Sequence, residues 1–144
     1  MKCCAIYTIR HIQPAEQRLI QENLLGSNYR ILAQQFCDGF PTFRHYGLLL
    51  SDGSVVHFRG RREHIHINAW IQRTSLAEFC QGGRIYPACE VHFAFPPEEV
   101  ARRALCQVGG NFGGYHFLRN NCEHFVNWCA CGRRISRQVM LREQ

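Results

Sequence analysis

The sequence contains no long hydrophobic run. Although 46% of its 144 residues are hydrophobic, no stretch approaches the roughly 18 consecutive apolar residues of a membrane-spanning helix. It also contains no internal repeat and no low-complexity segment that would divide the chain. We therefore expect one domain over residues 1–144 that buries its own core. It would have no transmembrane anchor and at most peripheral contact with membranes.

The nine cysteines lack the spacing of a disulfide framework or a zinc site. Their number is odd, no signal peptide precedes them, and the chain is longer than small secreted domains that depend on disulfides. Cys129 and Cys131 could combine with His64 and His66, but C-x-C with H-x-H is not the usual C-x-x-C zinc spacing. We expect a reduced, cytoplasmic protein that binds no metal and no cofactor.

Acidic side chains are the minority, with 11 against 17 basic ones, a formal net charge of +6 and a pI near 9.0. A basic surplus favours polyanions, either RNA or an anionic membrane surface. We assign such contact to the arginines of a basic turn and of the C-terminal segment: Arg59, Arg61, Arg62, Arg133, Arg134 and Arg137. Residues 138–144 are predicted to form a basic tail.

The stretch from Asn121 to Val126 predicts the first turns of a helix that begins with a cysteine. Apolar residues recur at three- and four-residue steps after Cys122, Asn121 is a good N-cap, and Gly132 is a good stop. At such a helix start, free backbone N–H groups and the helix dipole favour a thiolate, the form that attacks carbonyl carbon.

Two apolar runs meet across Ser51-Asp52-Gly53, which indicates a β-hairpin. A two-residue loop would place His45 and His57 on opposite faces of the sheet. A three-residue loop, with its glycine in the left-handed conformation, pairs Leu50 with Ser54 instead. The two imidazoles then become diagonal neighbours on one face, roughly 7 Å apart at Cβ. We expect this second register, because it lets one imidazole orient the other.

Periodicity and turn residues predict the remaining elements. Strands are expected at 3–9, at a sheet edge, and at 63–70, 90–95 and 115–118. Helices are expected at 14–25, at 76–82 behind a Ser75–Glu78 capping box, and from Pro97 to Gly109. The last of these has an apolar stripe of Val100, Ala101, Ala104, Leu105 and Val108. This order of elements predicts an α+β fold.

Two motifs in this sequence resemble those of a known family. Arg44-His45-Tyr46, with His57 downstream and then Asn121-Cys122-Glu123-His124-Phe125-Val126, resembles the H-box and NC motif of the lecithin:retinol acyltransferase and phospholipase A/acyltransferase group. The similarity covers residues 41–137 and leaves 1–40 as a strand-helix extension. It implies a permuted papain-like (NlpC-type) domain, in which an antiparallel sheet packs against helices and the nucleophile begins a helix.

The resemblance also implies roles. Cys122 would be the nucleophile, His45 the base and His57 the orienting third member. Backbone N–H groups would hold the oxyanion, and three residues would assist nearby: Arg44, Tyr46 and Asn121. A phospholipid or other acyl ester would form a thioester, and water, an amine or a hydroxyl would then accept the acyl group.

A second interpretation stays open. The short form of the chain also resembles picornaviral 2A proteins of the H-box/NC type, which would act as viral non-structural proteins in the host cytoplasm. The fold could then be catalytically silent and bind a host protein or RNA in viral replication. Residues 1–40 would serve as the binding arm, together with the basic surface.

Overall fold

An antiparallel sheet forms the centre of the computed structural model, which describes residues 1–10, 45–60, 68–80, 83–88, 90–116 and 119–137. Its strands are β1 (Cys3–Arg10), β2 (His45–Leu50), β3 (Ser54–Arg59), β4 (Trp70–Ser75) and β5 (Arg84–Pro87), in the order β4-β3-β2-β1-β5. The described helices are α1 (Leu76–Cys80), α2 (Pro97–Cys106) and α3 (Cys122–Cys131). The expected α+β class is confirmed.

The hairpin between β2 and β3 has the expected register. Gly47 pairs with His57, and Leu49 pairs with Val55, as a three-residue loop requires. Gly53 has a φ of 86°, a left-handed conformation that glycine adopts without a Cβ penalty. Its N–H donates to the carbonyl of Leu50 at 3.0 Å. The loop therefore fixes which side chains share a face.

The two faces of β2 carry different layers. Leu48 and Phe125 belong to one buried apolar cluster, so α3 packs on the face that carries the even-numbered residues of β2. On the opposite face, Phe79 of α1 packs against Val55, and His45 lies on this side. Helix α3 thus covers one face of the sheet, and α1 covers the other near the histidines.

Strand β1 is not at the sheet edge, which corrects our expectation. It pairs with β2 on one side and with β5 on the other. The sequence analysis missed β5, because Arg84–Pro87 is short and does not alternate clearly. Once β5 adds to β1, both edges of β1 are hydrogen-bonded and Ile6 and Thr8 become buried.

Other predicted strands are wrong where the structure describes them. Residues 90–95 form no strand, and the N–H groups of Ala94 and Phe95 donate to the carbonyl of Ala130 near the end of α3. Tyr115 belongs to no strand and His116 forms an isolated bridge with Asn120, whereas residues 117 and 118 of that expected strand lie outside the described residues. An alternating pattern alone was therefore not sufficient to predict a strand here.

The helix predictions fare better. Helix α1 begins after Ser75, whose Oγ accepts from the N–H of Glu78 at 3.1 Å, as a capping box requires. Helix α2 begins at the expected Pro97, but Val108 is exposed and does not belong to its apolar stripe.

The strand expected at 63–70 is only partly described: Asn68 is in a turn with a φ of 49°, and β4 starts at Trp70.

The helix expected at 14–25 and the basic tail at 138–144 lie outside the described residues. None of the helices in the described ranges is long and apolar enough to cross a membrane.

Replacing Gly47 with alanine should destabilise the protein. An ideal Cβ at this position would lie 2.6 Å from Cε2 of Phe79 and 2.7 Å from Cγ1 of Val55, so a methyl group has no room. We expect a loss of about 1–3 kcal/mol in the free energy of unfolding, measured by urea denaturation. Adding Phe79→Leu should recover part of that loss, and strictly additive losses would contradict this explanation.

Candidate active site

Cys122 is the first residue of α3, and a reciprocal cap fixes its position. The side chain of Asn121 accepts hydrogen bonds from the backbone N–H groups of Glu123 and His124, at 2.9 and 3.2 Å. In return, Nδ1 of His124 accepts from the N–H of Asn121 at 3.0 Å. This capping box satisfies donors that a helix start would otherwise leave without partners. Asn121 therefore positions the cysteine through the helix cap.

A buried carboxylate ties the chain beyond α3 back to the start of the helix. Glu123 is fully buried and accepts hydrogen bonds from the hydroxyl of Ser136 at 2.7 Å and from the N–H of Arg137 at 3.1 Å. Asn127, one turn further along α3, donates to the carbonyl of Ile135 at 2.9 Å. The segment after Gly132 therefore runs back along α3, which braces the end that carries Cys122.

The thiol of Cys122 is fully buried, between β2 and a loop. Burial raises its pKa to about 12. A hydrogen bond from the backbone N–H of Tyr46 opposes this shift, the nearby Glu123 carboxylate adds to it, and a hydrogen bond from the hydroxyl of Tyr115 opposes it. The expectation that the helix start favours a resting thiolate is therefore wrong, because loss of hydration outweighs the local donors.

The two histidines form a direct hydrogen-bonded pair. Nε2 of His45 lies 2.8 Å from Nδ1 of His57, and both rings are fully buried. The ring of Phe79 packs on both imidazoles, with centroid distances of 5.3 and 5.2 Å. Burial, with a smaller contribution from Arg59, lowers the pKa of His57 to about 3. His57 is therefore a neutral ring at physiological pH.

The thiol of Cys122 contacts the peptide group that directly follows His45. The N–H group of Tyr46 that bonds to Cys122 belongs to the peptide that joins His45 to Tyr46. Since Nε2 of His45 is used in the contact with His57, proton exchange between His45 and the thiol has to pass through Nδ1. The structure thus joins the two imidazoles. It also brings the sulfur of Cys122 to the peptide group that follows His45.

The hydroxyl of Tyr46 does not face the thiol. It donates to Oε1 of Glu90 at 2.5 Å. The part of this residue that contacts Cys122 is therefore its backbone N–H. The assistance expected of Tyr46 at the oxyanion stays a prediction.

Tyr115 was missed in the sequence analysis. Its hydroxyl bonds to the side chain of Cys122 and accepts from the backbone N–H of that residue. Asn120 holds the loop that carries it, because its side-chain amide donates to the carbonyls of Phe112 and Gly114 at 2.6 and 2.9 Å. Gly114 has a φ of 101°, and a glycine pair before an aromatic residue was the available signal for this tight turn.

Thr74 was also missed. Its Oγ1 lies 2.9 Å from Nε2 of His57, so the hydrogen-bonded chain from His45 continues onto β4. No sequence motif marks this threonine. It could be found only by predicting β4 and its pairing of Thr74 with Val55.

The basic residues divide into three groups. Arg59 is buried and pairs with Glu78 at 3.5 Å, so its assignment to a polyanion-binding surface is wrong: it braces α1 against β3. Arg44, Arg61 and Arg62 lie outside the described residues. The third group is exposed, and its contact with a polyanion stays a prediction: Arg133, Arg134 and Arg137.

Comparison with known proteins decides the family. The lecithin retinol acyltransferase family model matches residues 27–135, well over half of the chain. The chain belongs to the lecithin retinol acyltransferase family. The match starts ahead of residue 41, where we expected the family core to begin, and ends close to residue 137.

Individual family members agree with this placement. Lecithin retinol acyltransferase from Homo sapiens is 32% identical over 120 residues, which cover 65% of this chain and 51% of the relative. The Bos taurus protein is 31% identical over 121 residues, covering 66% and 52%. The Mus musculus protein is 58% identical over 42 residues, covering 29% and 17%. The chain spans about half the length of its human and bovine relatives.

Stability should fall as the pH decreases below neutrality, because two histidines are neutral in the folded protein. Burial lowers the pKa of His57 to about 3 and that of His124 to about 4, whereas an unfolded chain protonates histidine near 6.5. Between these values the unfolded state binds more protons, so the free energy of unfolding declines by up to about 1.4 kcal/mol per pH unit for each group. Urea denaturation at several pH values measures this slope.

The His57→Gln variant should show a shallower decline, and His92→Gln, at an exposed position, should match the wild type. Equal slopes in the wild type and His57→Gln would contradict a buried neutral His57.

Proposed function

We propose that this protein is a cysteine-dependent enzyme that takes an acyl group from a phospholipid ester onto Cys122. The observation that carries the proposal is the pair of hydrogen-bonded imidazoles, with Nε2 of His45 at 2.8 Å from Nδ1 of His57. The thiol of Cys122 contacts the peptide group that directly follows His45. The name of these relatives, lecithin retinol acyltransferase, combines a phospholipid with acyl transfer and supports the lipid substrate.

The chemistry follows from the contacts. Nδ1 of His45 accepts the thiol proton as the sulfur attacks the ester carbonyl. The backbone N–H of Cys122, which contacts the hydroxyl of Tyr115 at rest, holds the oxygen that becomes negative once Tyr115 has moved away. His45 then returns the proton to the departing alcohol oxygen, which leaves a thioester on Cys122. In the second step, water, a hydroxyl or an amine gives its proton to His45 and attacks the thioester. His45 then passes that proton to the departing sulfur, which restores the thiol and the neutral base.

The high pKa of the thiol shapes this mechanism. Because burial raises the pKa of Cys122 to about 12, little thiolate exists at rest and the proton has to move during the attack. A neutral His45 is the base that this step needs, and His57 keeps it in place. A lipid ester also needs access to a fully buried sulfur, so we propose that the loop that carries Tyr115 moves aside.

The chain order supports a permuted papain-like arrangement. In papain-like enzymes the cysteine lies near the start of the mature chain and the histidine far downstream, whereas here His45 and His57 precede Cys122. Action in the cytoplasm, a viral role and RNA contact stay predictions, since the relatives named above are mammalian acyltransferases.

Incubation with mixed phospholipids should add one acyl mass to the protein, on Cys122. The thiol is the only group in this arrangement with both a base and oxyanion donors beside it, so Cys122→Ser and His45→Gln should slow adduct formation by about a thousandfold or more. Mass spectrometry of the intact protein and of its peptides measures the rate and the site. Cys131→Ser, on the same helix, is the matched control and should react normally. An adduct on another cysteine, or none in the wild type, refutes the proposal.

A further inference from the structure

The two histidines and Thr74 form a chain of hydrogen bonds. The threonine at its end determines which atom donates and which accepts in each bond of the chain. Oγ1 of Thr74 lies 2.9 Å from Nε2 of His57 and 3.0 Å from the backbone carbonyl oxygen of Ser75. A hydroxyl has a single proton to donate, and a carbonyl oxygen can only accept. The contact with Ser75 therefore uses the hydroxyl proton, and Thr74 meets the imidazole of His57 as an acceptor.

This acceptor determines where the protons lie on both rings. A neutral imidazole carries one N–H and one bare nitrogen. With the proton of His57 on Nε2, facing Thr74, its Nδ1 is the acceptor in the 2.8 Å contact with Nε2 of His45. His45 then carries its own proton on Nε2. Its Nδ1, through which a proton from Cys122 has to pass, is the basic nitrogen.

If the hydrogen bonds were donated in the opposite direction, His45 could not act as a base. If Thr74 donated to His57, the proton of His57 would sit on Nδ1 and point at Nε2 of His45. A neutral His45 would then hold its proton on Nδ1 and could not accept one from the thiol. We propose that Thr74 is a positioning residue that selects the base-competent tautomer of His45 by acting through His57. This inference rests on the function proposed above, because it assigns Thr74 to the same reaction.

The surroundings hold the hydroxyl in place. Thr74 lies on β4 opposite Val55, diagonal to His57 in the pairing of β3 with β4, and its β-branched side chain has few rotamers in a strand. Among the described residues, the titratable or charged groups that face the ring of His57 are His45 from β2 and Arg59 from β3. Arg59 is paired with Glu78 of α1, and Phe79 covers the ring on that side.

The inference is tested by removing the hydroxyl without changing the shape of the side chain. Thr74→Val should slow both acylation of Cys122 by phospholipid and its alkylation by iodoacetamide roughly five- to tenfold at neutral pH, the value of one hydrogen bond. The difference should shrink as the pH rises, because removal of the thiol proton by hydroxide, which does not need His45, then makes up more of the rate. Thr74→Ser should restore wild-type rates.

Thr8→Val is the matched control. Thr8 is a buried threonine of the same sheet, and its Oγ1 has no hydrogen-bond partner among the described residues. This variant should keep the wild-type rate at every pH. In a His57→Gln background, Thr74→Val should change nothing further, because the ring through which it acts is missing.

Several outcomes would overturn the inference. Wild-type rates in Thr74→Val would do so, as would a slowed rate that is equal at every pH, which is the mark of a structural defect. A full effect in the His57→Gln background would also refute it. Alkylation needs no lipid, so failure of the wild type to form an acyl adduct would count against the proposed function alone, and the alkylation rates would still decide the role of Thr74.

Discussion

The hydrogen bond between His45 and His57 exists in only one register of the hairpin that carries them. Side chains alternate between faces along a strand, so a shift of one residue would turn one imidazole towards α3 and leave the other beside Phe79. Gly53 prevents that shift, because its left-handed conformation supports the three-residue loop. The register therefore brings the two imidazoles together.

Around this pair the protein excludes water, and that exclusion controls the chemistry. The same burial that keeps His57 neutral also raises the pKa of the Cys122 thiol. A resting ion pair would need two charges where hydration is lost, so the site holds uncharged groups joined by hydrogen bonds instead. In the proposed reaction, charge appears only as the sulfur attacks, next to the start of α3. The capping box and the buried Glu123 keep that end of the helix fixed.

Local features of the sequence were sufficient for part of this account. The Ser51-Asp52-Gly53 turn predicted the hairpin, and Asn121 and Gly132 predicted both ends of α3, because turns and caps depend on nearby residues. The turn left two registers open, and the expectation that His45 and His57 cooperate selected the correct one. Strand β5 and the interior position of β1 depend on pairing between distant segments, which no local pattern reveals. The predictions of a resting thiolate at Cys122 and of a surface-exposed Arg59 failed for a related reason. The state of both side chains depends on how completely other segments cover them.

The state of the two rings is the central claim, and nitrogen NMR of the intact protein tests it most directly. With ¹⁵N-labelled histidine, the account predicts a neutral His45 protonated on Nε2 and bare on Nδ1, with scalar coupling across the hydrogen bond to Nδ1 of His57. Because burial lowers the pKa of His57 to about 3, its ring should stay neutral below the ordinary histidine pKa of about 6.5. A proton on Nδ1 of His45, or a His57 ring that titrates near the ordinary value of about 6.5, would contradict this arrangement of protons.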